Sequence, residues 1–237
     1  MVDGMTAADS LDWTAIAADL DAHGAATSGR PLLSPADCAA LVAAYDEAAH
    51  FRKHVVMHRH GYGQGEYKYF GYPLPGLVQE LRTALYPHLA AIANRWGALM
   101  REQRRWPERH ADYLAQCHAA GQLRPTPLLL RYGPGDYNRL HQDLYGELVF
   151  PLQVVILLSR PGEDFSGGEL VLTEQRPRMQ SRPEVVPLQQ GEAAIIPVHH
   201  RPVQGPRGIH RVTMRHGVSR LRHGHRHTLG IIFHDAG

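Results

Sequence analysis

From Pro125 onward the chain changes character. Thr126 to Tyr132, Val149 to Leu158, Glu169 to Thr173, Glu184 to Pro187, Ala193 to Val198 and His227 to Phe233 are short apolar or alternating runs. Turn signals such as Arg160-Pro161-Gly162 and Ser166-Gly167-Gly168 separate them. Strands this short bury their apolar faces only against one another, which restricts the second half to a β-sandwich or barrel.

The first half carries helical spacing. Leu11 to Leu20 is amphipathic, with Trp13, Ile16, Ala17 and Leu20 on one face. Ser34-Pro35-Ala36-Asp37 is a helix start, with Ser as N-cap, Pro in the first turn and an acid three residues on; that helix is predicted to run to about Ala49. Phe51 to Met57 reads as a strand and Gly61 to Gly71 as a loop. Val78, Leu81, Leu85, Leu89, Ile92, Trp96 and Leu99 recur at three and four, predicting a long helix with a kink at Pro87. Pro107 to Ala120 reads as a further helix, stopped by Gly121. The expected class is α+β in one domain over residues 1–237, mainly helical over 1–124 and β over 125–237.

With 237 residues, 43 % of them apolar and 20 % charged, the composition is that of an ordinary globular protein and argues against disorder. Cys38 and Cys117 form neither a CxxC pair nor a disulfide framework, and no apolar run reaches membrane-spanning length. A cytoplasmic location and no membrane partner are the expectation. Net charge is only +2, but Ala193 to His234 contains seven Arg, eight His and no acid. Such a stretch projects a positive field toward an anionic partner, or is a solvated Arg-rich face.

The chemistry concentrates in His141-Gln142-Asp143. On a strand, residues two apart share a face, so one imidazole nitrogen and one carboxylate oxygen can meet one metal ion. His199, His200, His210 and His216 are in range as a third ligand. Two His and one carboxylate on one face leave three coordination positions open, the arrangement suited to non-haem Fe(II) and oxygen. Arg226, ten residues after His216, offers a planar fork matched to a carboxylate.

Arg131-Tyr132-Gly133-Pro134-Gly135 followed by Leu140-His141-Gln142-Asp143 resembles the segment that opens the metal site of AlkB-type 2-oxoglutarate dioxygenases. Ser166-Gly167-Gly168-Glu169-Leu170, the run from Gly191 to Pro197, and His216-Gly217-Val218 with Arg226 ten residues on resemble prolyl-hydroxylase-like dioxygenases. Where the AlkB-type pattern has Asn two residues before the Tyr, this chain has Leu130. The resemblance covers Pro125 to Asp235, and the stretch is also similar to a bacterial oxygenase family described as acting oxidatively on damaged DNA.

The resemblance implies a double-stranded β-helix (jelly-roll) core against the helical half. It implies Fe(II) held by His141, Asp143 and His216, with His210 as the alternative third ligand. It also implies 2-oxoglutarate held by Arg226, Tyr132 and Thr228, with O2 as oxidant and ascorbate as reductant. The implied reaction is hydroxylation of a C–H bond, which on an N-methyl group releases formaldehyde. A non-catalytic, cupin-like metal-binding module is the competing class, and it has no use for a dicarboxylate clamp. The alternating basic and aromatic residues of 51–71 make that segment the candidate substrate lid. Its Arg and Lys would hold phosphates, and Tyr62, Tyr67 and Tyr69 would stack on a single-stranded or damaged base. The competing reading is a β-hairpin packing its aromatics on the core. Protein or small-molecule substrates remain the alternative to nucleic acid.

Overall fold

The computed structural model describes residues 6–206 and 208–237. The chain order is α1 (Trp13–His23), β1 (Ala26–Thr27), α2 (Pro35–Ala44), β2 (Phe51–Val56), β3 (Gly63–Gln64), β4 (Glu66–Phe70), α3 (Gly76–Leu99) and α4 (His110–Ala119). Strands then follow: β5 (Leu128–Tyr132), β6 (Tyr137–His141), β7 (Leu152–Leu157), β8 (Phe165–Gly167), β9 (Leu170–Gln175) and β10 (Arg182–Val186). The last are β11 (Ala193–Pro197), β12 (His200–Gly205), β13 (Gly208–Val218), β14 (Leu221–Gly224) and β15 (Arg226–Ile231).

The helix ends follow their local chemistry. Asp12 caps α1 through the Ala15 N–H at 2.9 Å, and Gly24 closes it at φ 80°. Ser34 and Asp37 form the reciprocal capping box of α2. That helix ends at Ala44, short of the predicted Ala49, and a 3-10 turn over Ala48–His50 takes its place. Helix α3 continues through Pro87. Among the described residues no helix is long and apolar enough to cross a membrane.

One antiparallel sheet has the order β1-β11-β7-β15-β5-β4-β2; the second has β10-β9-β13-β6-β3, with β12 also pairing with β13. The period-2 alternation sorts the larger sheet into two faces. Leu152, Val154, Ile156, Ile195, Leu229 and Ile231 share one buried cluster with Leu85, Leu89 and Trp96 of α3. Leu157, Ala194, Ile196 and Tyr132 instead share a cluster with Leu172, Val212 and Met214 of the second sheet. Helices therefore cover one face, and the other closes on the smaller sheet around the functional cavity. Full burial of each Leu- or Ile-sized side chain contributes about 1.5–3 kcal/mol, so both interfaces hold the sheet in place.

The expected strand is present as Phe51–Val56, but the expected loop Gly61 to Gly71 is not a loop throughout. Glu66–Phe70 is itself a strand, paired with β2 on one side and β5 on the other. The glycines that read as a loop permit close approach: a Cβ on Gly63 would stand 2.3 Å from the Tyr137 carbonyl oxygen, and one on Gly65 2.9 Å from the Tyr132 ring. Arg52 donates to the Pro125 carbonyl at 2.8 Å and Lys68 to the Tyr45 carbonyl at 2.7 Å, so two of the supposed phosphate-binding cations are spent inside the fold. Tyr69 and Met57 are buried, while Lys53, His54, the turn His58–Tyr62 and Gln64 stay at the surface.

Helix α3 also fixes the end of the chain. Arg82 is fully buried and pairs with Asp235 at 2.9 Å, with further bonds to the Ile232 carbonyl at 2.9 Å and the Tyr72 hydroxyl at 3.1 Å. This network holds the segment that continues from β15 along the cavity wall.

Candidate metal centre

His141, Asp143 and His216 converge, with one ligand atom from each lying within 4.8 Å of the others. Asp143 Oδ1 is 3.6 Å from His141 Nε2, and Oδ2 is 3.3 Å from His216 Nε2. The two imidazoles lie 4.2 Å apart between centroids. Strand register brings them together: β13 runs antiparallel to β6 with His216 opposite His141. The expected geometry of the His-x-Asp pair needs one correction. Strand β6 ends at His141, and Asp143 sits in the loop that follows. The alternation persists nonetheless, because Gln142 turns away and donates to the Met214 carbonyl at 2.8 Å.

His210 lies elsewhere on β13, opposite Val203 of β12, and it is not in the cluster. His141 Nδ1 donates to the Arg139 carbonyl at 2.7 Å, which fixes the tautomer and leaves Nε2 with its lone pair toward Asp143 and His216. Burial and the neighbouring His216 lower the His141 pKa, so its ring is neutral near pH 7. Burial pushes the Asp143 carboxyl up, but the His216 hydrogen bond and charge, together with His141 and the Tyr145 hydroxyl, outweigh it. The group is held well below the usual carboxylate range. An ionised carboxylate beside two imidazole rings is a donor set suited to a divalent cation.

The same cavity, of about 580 Å³, is also lined by Tyr132, Arg226 and Thr228. Arg226 and Tyr132 are direct partners across β15 and β5, and the guanidinium carbon stands 5.7 Å from the Tyr132 ring centroid. Arg226 is 2 % exposed, and its Nη1 has no hydrogen-bond partner. Among the described residues no carboxylate pairs with it. Burying a guanidinium without an anion is costly by several kcal/mol, so an anion reaching this cavity would offset that cost. Thr228, two residues on, faces inward beside it. Asn138 donates to the Tyr132 hydroxyl at 3.4 Å.

Three residues that the sequence did not single out complete the site. Gln153 is the lone polar side chain of the buried strand Leu152–Leu157; its amide nitrogen lies 3.3 Å from His216 Nε2. The Tyr145 hydroxyl donates to Asp143 Oδ1 at 2.6 Å. Gln122, 3 % exposed, accepts from the Leu148 N–H at 2.7 Å and donates to the Leu148 carbonyl at 3.2 Å. A polar residue inside an apolar strand is the signal that would have found Gln153. The position two after Asp143 would have suggested Tyr145. Nothing local marks Gln122.

The Oxygenase-NA family, described as an oxygenase catalysing oxidative methylation of damaged DNA, matches over residues 65–236. The chain belongs to this oxygenase family. An uncharacterized protein of Mycobacterium tuberculosis strain H37Rv is 52 % identical over 167 residues, covering 70 % of this chain and 72 % of the relative; its counterpart in strain CDC 1551 matches equally. Among solved structures, an oxidoreductase of the 2OG-Fe(II) oxygenase family from Burkholderia pseudomallei superposes with a TM-score of 0.52 at 17 % identity, over 96 % of this chain and 93 % of that one. A Pseudomonas putida prolyl-4-hydroxylase gives 0.49 at 16 % identity, over 95 % and 100 %. This oxygenase thus has the fold of the 2-oxoglutarate–Fe(II) oxygenases.

Proposed function

We propose that this oxygenase is an Fe(II)/2-oxoglutarate-dependent dioxygenase, a single domain with a jelly-roll core against a helical N-terminal half. His141, Asp143 and His216 hold Fe(II). Arg226 takes the far carboxylate of 2-oxoglutarate, and Tyr132 and Thr228 line the channel between. With both bound, such a site couples decarboxylation of 2-oxoglutarate by O2 to oxygen insertion into a substrate C–H bond, releasing succinate and carbon dioxide. The protein's own part is positional. Asp143 stays ionised, His141 keeps its Nε2 lone pair free, and the apolar walls formed by Leu128, Leu130 and Val155 limit water.

One observation carries this reading: a buried, unpartnered guanidinium in the same cavity as a His–Asp–His donor set. A cupin-like metal-binding module needs the donor set alone. The test is conversion of 2-oxoglutarate to succinate with Fe(II) and ascorbate. We expect slow turnover even without a primary substrate, and its loss in Asp143→Ala. No succinate, with Asp143→Ala binding metal as well as wild type, overturns the assignment.

For the substrate we infer a nucleic-acid strand carrying an oxidisable, alkylated base. Tyr62 stands 50 % exposed at the cavity mouth, with His60 stacked on it at 5.3 Å and an interplanar angle of 23°. Arg59 and Arg139 flank it, exposed and without an ionic partner among the described residues. The Arg139 N–H donates to the Tyr62 carbonyl at 2.8 Å, tying the turn to β6. A stacking face beside two cations suits an unpaired base and its phosphates. Binding to single-stranded DNA that weakens steeply with salt, and weakens further in Tyr62→Ala, is the expected result. Absent or salt-insensitive binding assigns the site to a peptide or metabolite instead.

A further inference from the structure

We propose that Tyr145 is a positioning residue that fixes Asp143 as a one-oxygen metal ligand. This inference rests on the metal assignment above and adds the control of ligand denticity. The two carboxylate oxygens of Asp143 are not equivalent. Oδ1 accepts the Tyr145 hydroxyl at 2.6 Å and stands 3.6 Å from His141 Nε2, while Oδ2 has no hydroxyl donor and lies nearer a ring nitrogen, 3.3 Å from His216 Nε2. Among the described residues Tyr145 supplies the only side-chain hydroxyl bonded to this carboxylate. An oxygen engaged by a strong O–H donor has less electron density to offer a cation, and turning it toward the metal would break that bond. Asp143 therefore presents Oδ2. A two-oxygen carboxylate would occupy a further coordination position, one of the three that an oxygenase of this type must leave for its cosubstrate and O2.

Tyr145 is itself held so that its hydroxyl cannot drift. Its ring meets Tyr69 edge-on at 6.0 Å and lies 6.2 Å from His234. Its loop is stapled by Gln122, whose amide nitrogen bonds the Leu148 carbonyl at 3.2 Å and the Asp235 carbonyl at 2.5 Å. Gly146, at φ 120°, lets that staple close, since a Cβ there would stand 2.6 Å from the Gln122 amide carbon. The polar support thus runs from the C-terminal segment through Gln122 and Tyr145 to one oxygen of one ligand.

The test is Co(II) titration of Tyr145→Phe, which keeps the ring and removes the hydroxyl, against wild type, without 2-oxoglutarate. Cobalt reports both affinity and, through its visible d–d bands, coordination number. A thermal melt confirms that the variant is folded. We expect about 10- to 100-fold weaker binding, the range for loss of a hydrogen-bond partner behind a ligand. Weaker, more symmetric d–d bands should accompany it, as coordination number rises. Unchanged affinity with altered bands still supports the inference, because denticity has changed. Unaltered bands overturn it, whatever the affinity, since the hydroxyl would then not control which oxygens bind. If wild type itself binds no Co(II), the metal assignment fails, and the two failures are distinguishable.

Discussion

Replacing Arg226 with Met should move two measurements in opposite directions. The side chain is 2 % exposed with Nη1 unpaired, so without ligand it is a charge held out of water with only the Tyr132 and Phe165 rings near it and no paired anion. Met fills similar space without that charge, and such replacements are neutral or stabilising by about 1–4 kcal/mol. The ligand-free variant should melt at or above the wild-type temperature. Truncating one member of a buried charge pair costs about 2–5 kcal/mol of binding. Taking about 3 kcal/mol, affinity for 2-oxoglutarate falls by roughly two decades. At a ligand concentration about 100 times the wild-type Kd, wild type gains about 2.7 kcal/mol, or roughly 5–10 °C for a domain of this size. At the same concentration the variant is near half-saturation, gains about 0.4 kcal/mol and shifts by roughly 1 °C. The assay is a pair of thermal melts on Mn(II)-loaded protein, with and without 2-oxoglutarate, plus calorimetric titration. A variant that binds 2-oxoglutarate within threefold of wild type would refute the reasoning. So would a ligand-free melting point well below wild type, which would mean the guanidinium stabilises the fold rather than waiting for an anion.

Three further perturbations test other parts of the argument. His216→Ala should abolish Co(II) binding while His210→Ala leaves it unchanged, as followed by the cobalt absorption bands; equal loss in both would contradict the β13 register. Arg82→Ala leaves Asp235 buried without its cation and should cost about 3–5 kcal/mol in urea unfolding, whereas a loss under 1 kcal/mol would mean His118 and Tyr72 suffice. Burial lowers the pKa of His110 to about 3 and of His234 to about 4. Below pH 6.5 the unfolded chain takes up protons that these folded residues refuse, so stability falls with falling pH, by up to about 1.4 kcal/mol per pH unit for each, until pH nears 4 for His234 and 3 for His110. Urea midpoints that stay flat from pH 6.5 to 4.5 would contradict this sign.

What the sequence disclosed depended on how local each constraint was. His141 and Asp143 were legible because two residues of alternation define their shared orientation, even though the strand ends between them. His216 and His210 could not be told apart on residue type, since the choice rests on inter-strand register. Pairing β13 with β6 sets His216 opposite His141 and leaves His210 opposite Val203. Strand β13 is hidden in the sequence because its inward row, Val212, Met214 and His216, ends in a histidine and is interleaved with Arg211, Thr213 and Arg215, so the alternation reads as polar. The long acid-free stretch promised a positive face, yet Arg201 is buried against Glu174 and Arg211 pairs with Glu102. Acids far away in sequence cancel much of that charge, and composition within a window cannot register them.

The least legible feature shapes the cavity most directly. Between β6 and β13 the partners step from His141–His216 to Asn138–Val218, three residues against two. That bulge lets Asn138 and His141 both face the cavity, where plain alternation would turn one outward. Gly217 lies at this step, and a Cβ there would stand 2.6 Å from the Asn138 carbonyl oxygen. The extra residue is accommodated because glycine follows His216. The short motif His216-Gly217 therefore encodes both a candidate donor atom and the backbone approach that aims Asn138 at the Tyr132 hydroxyl.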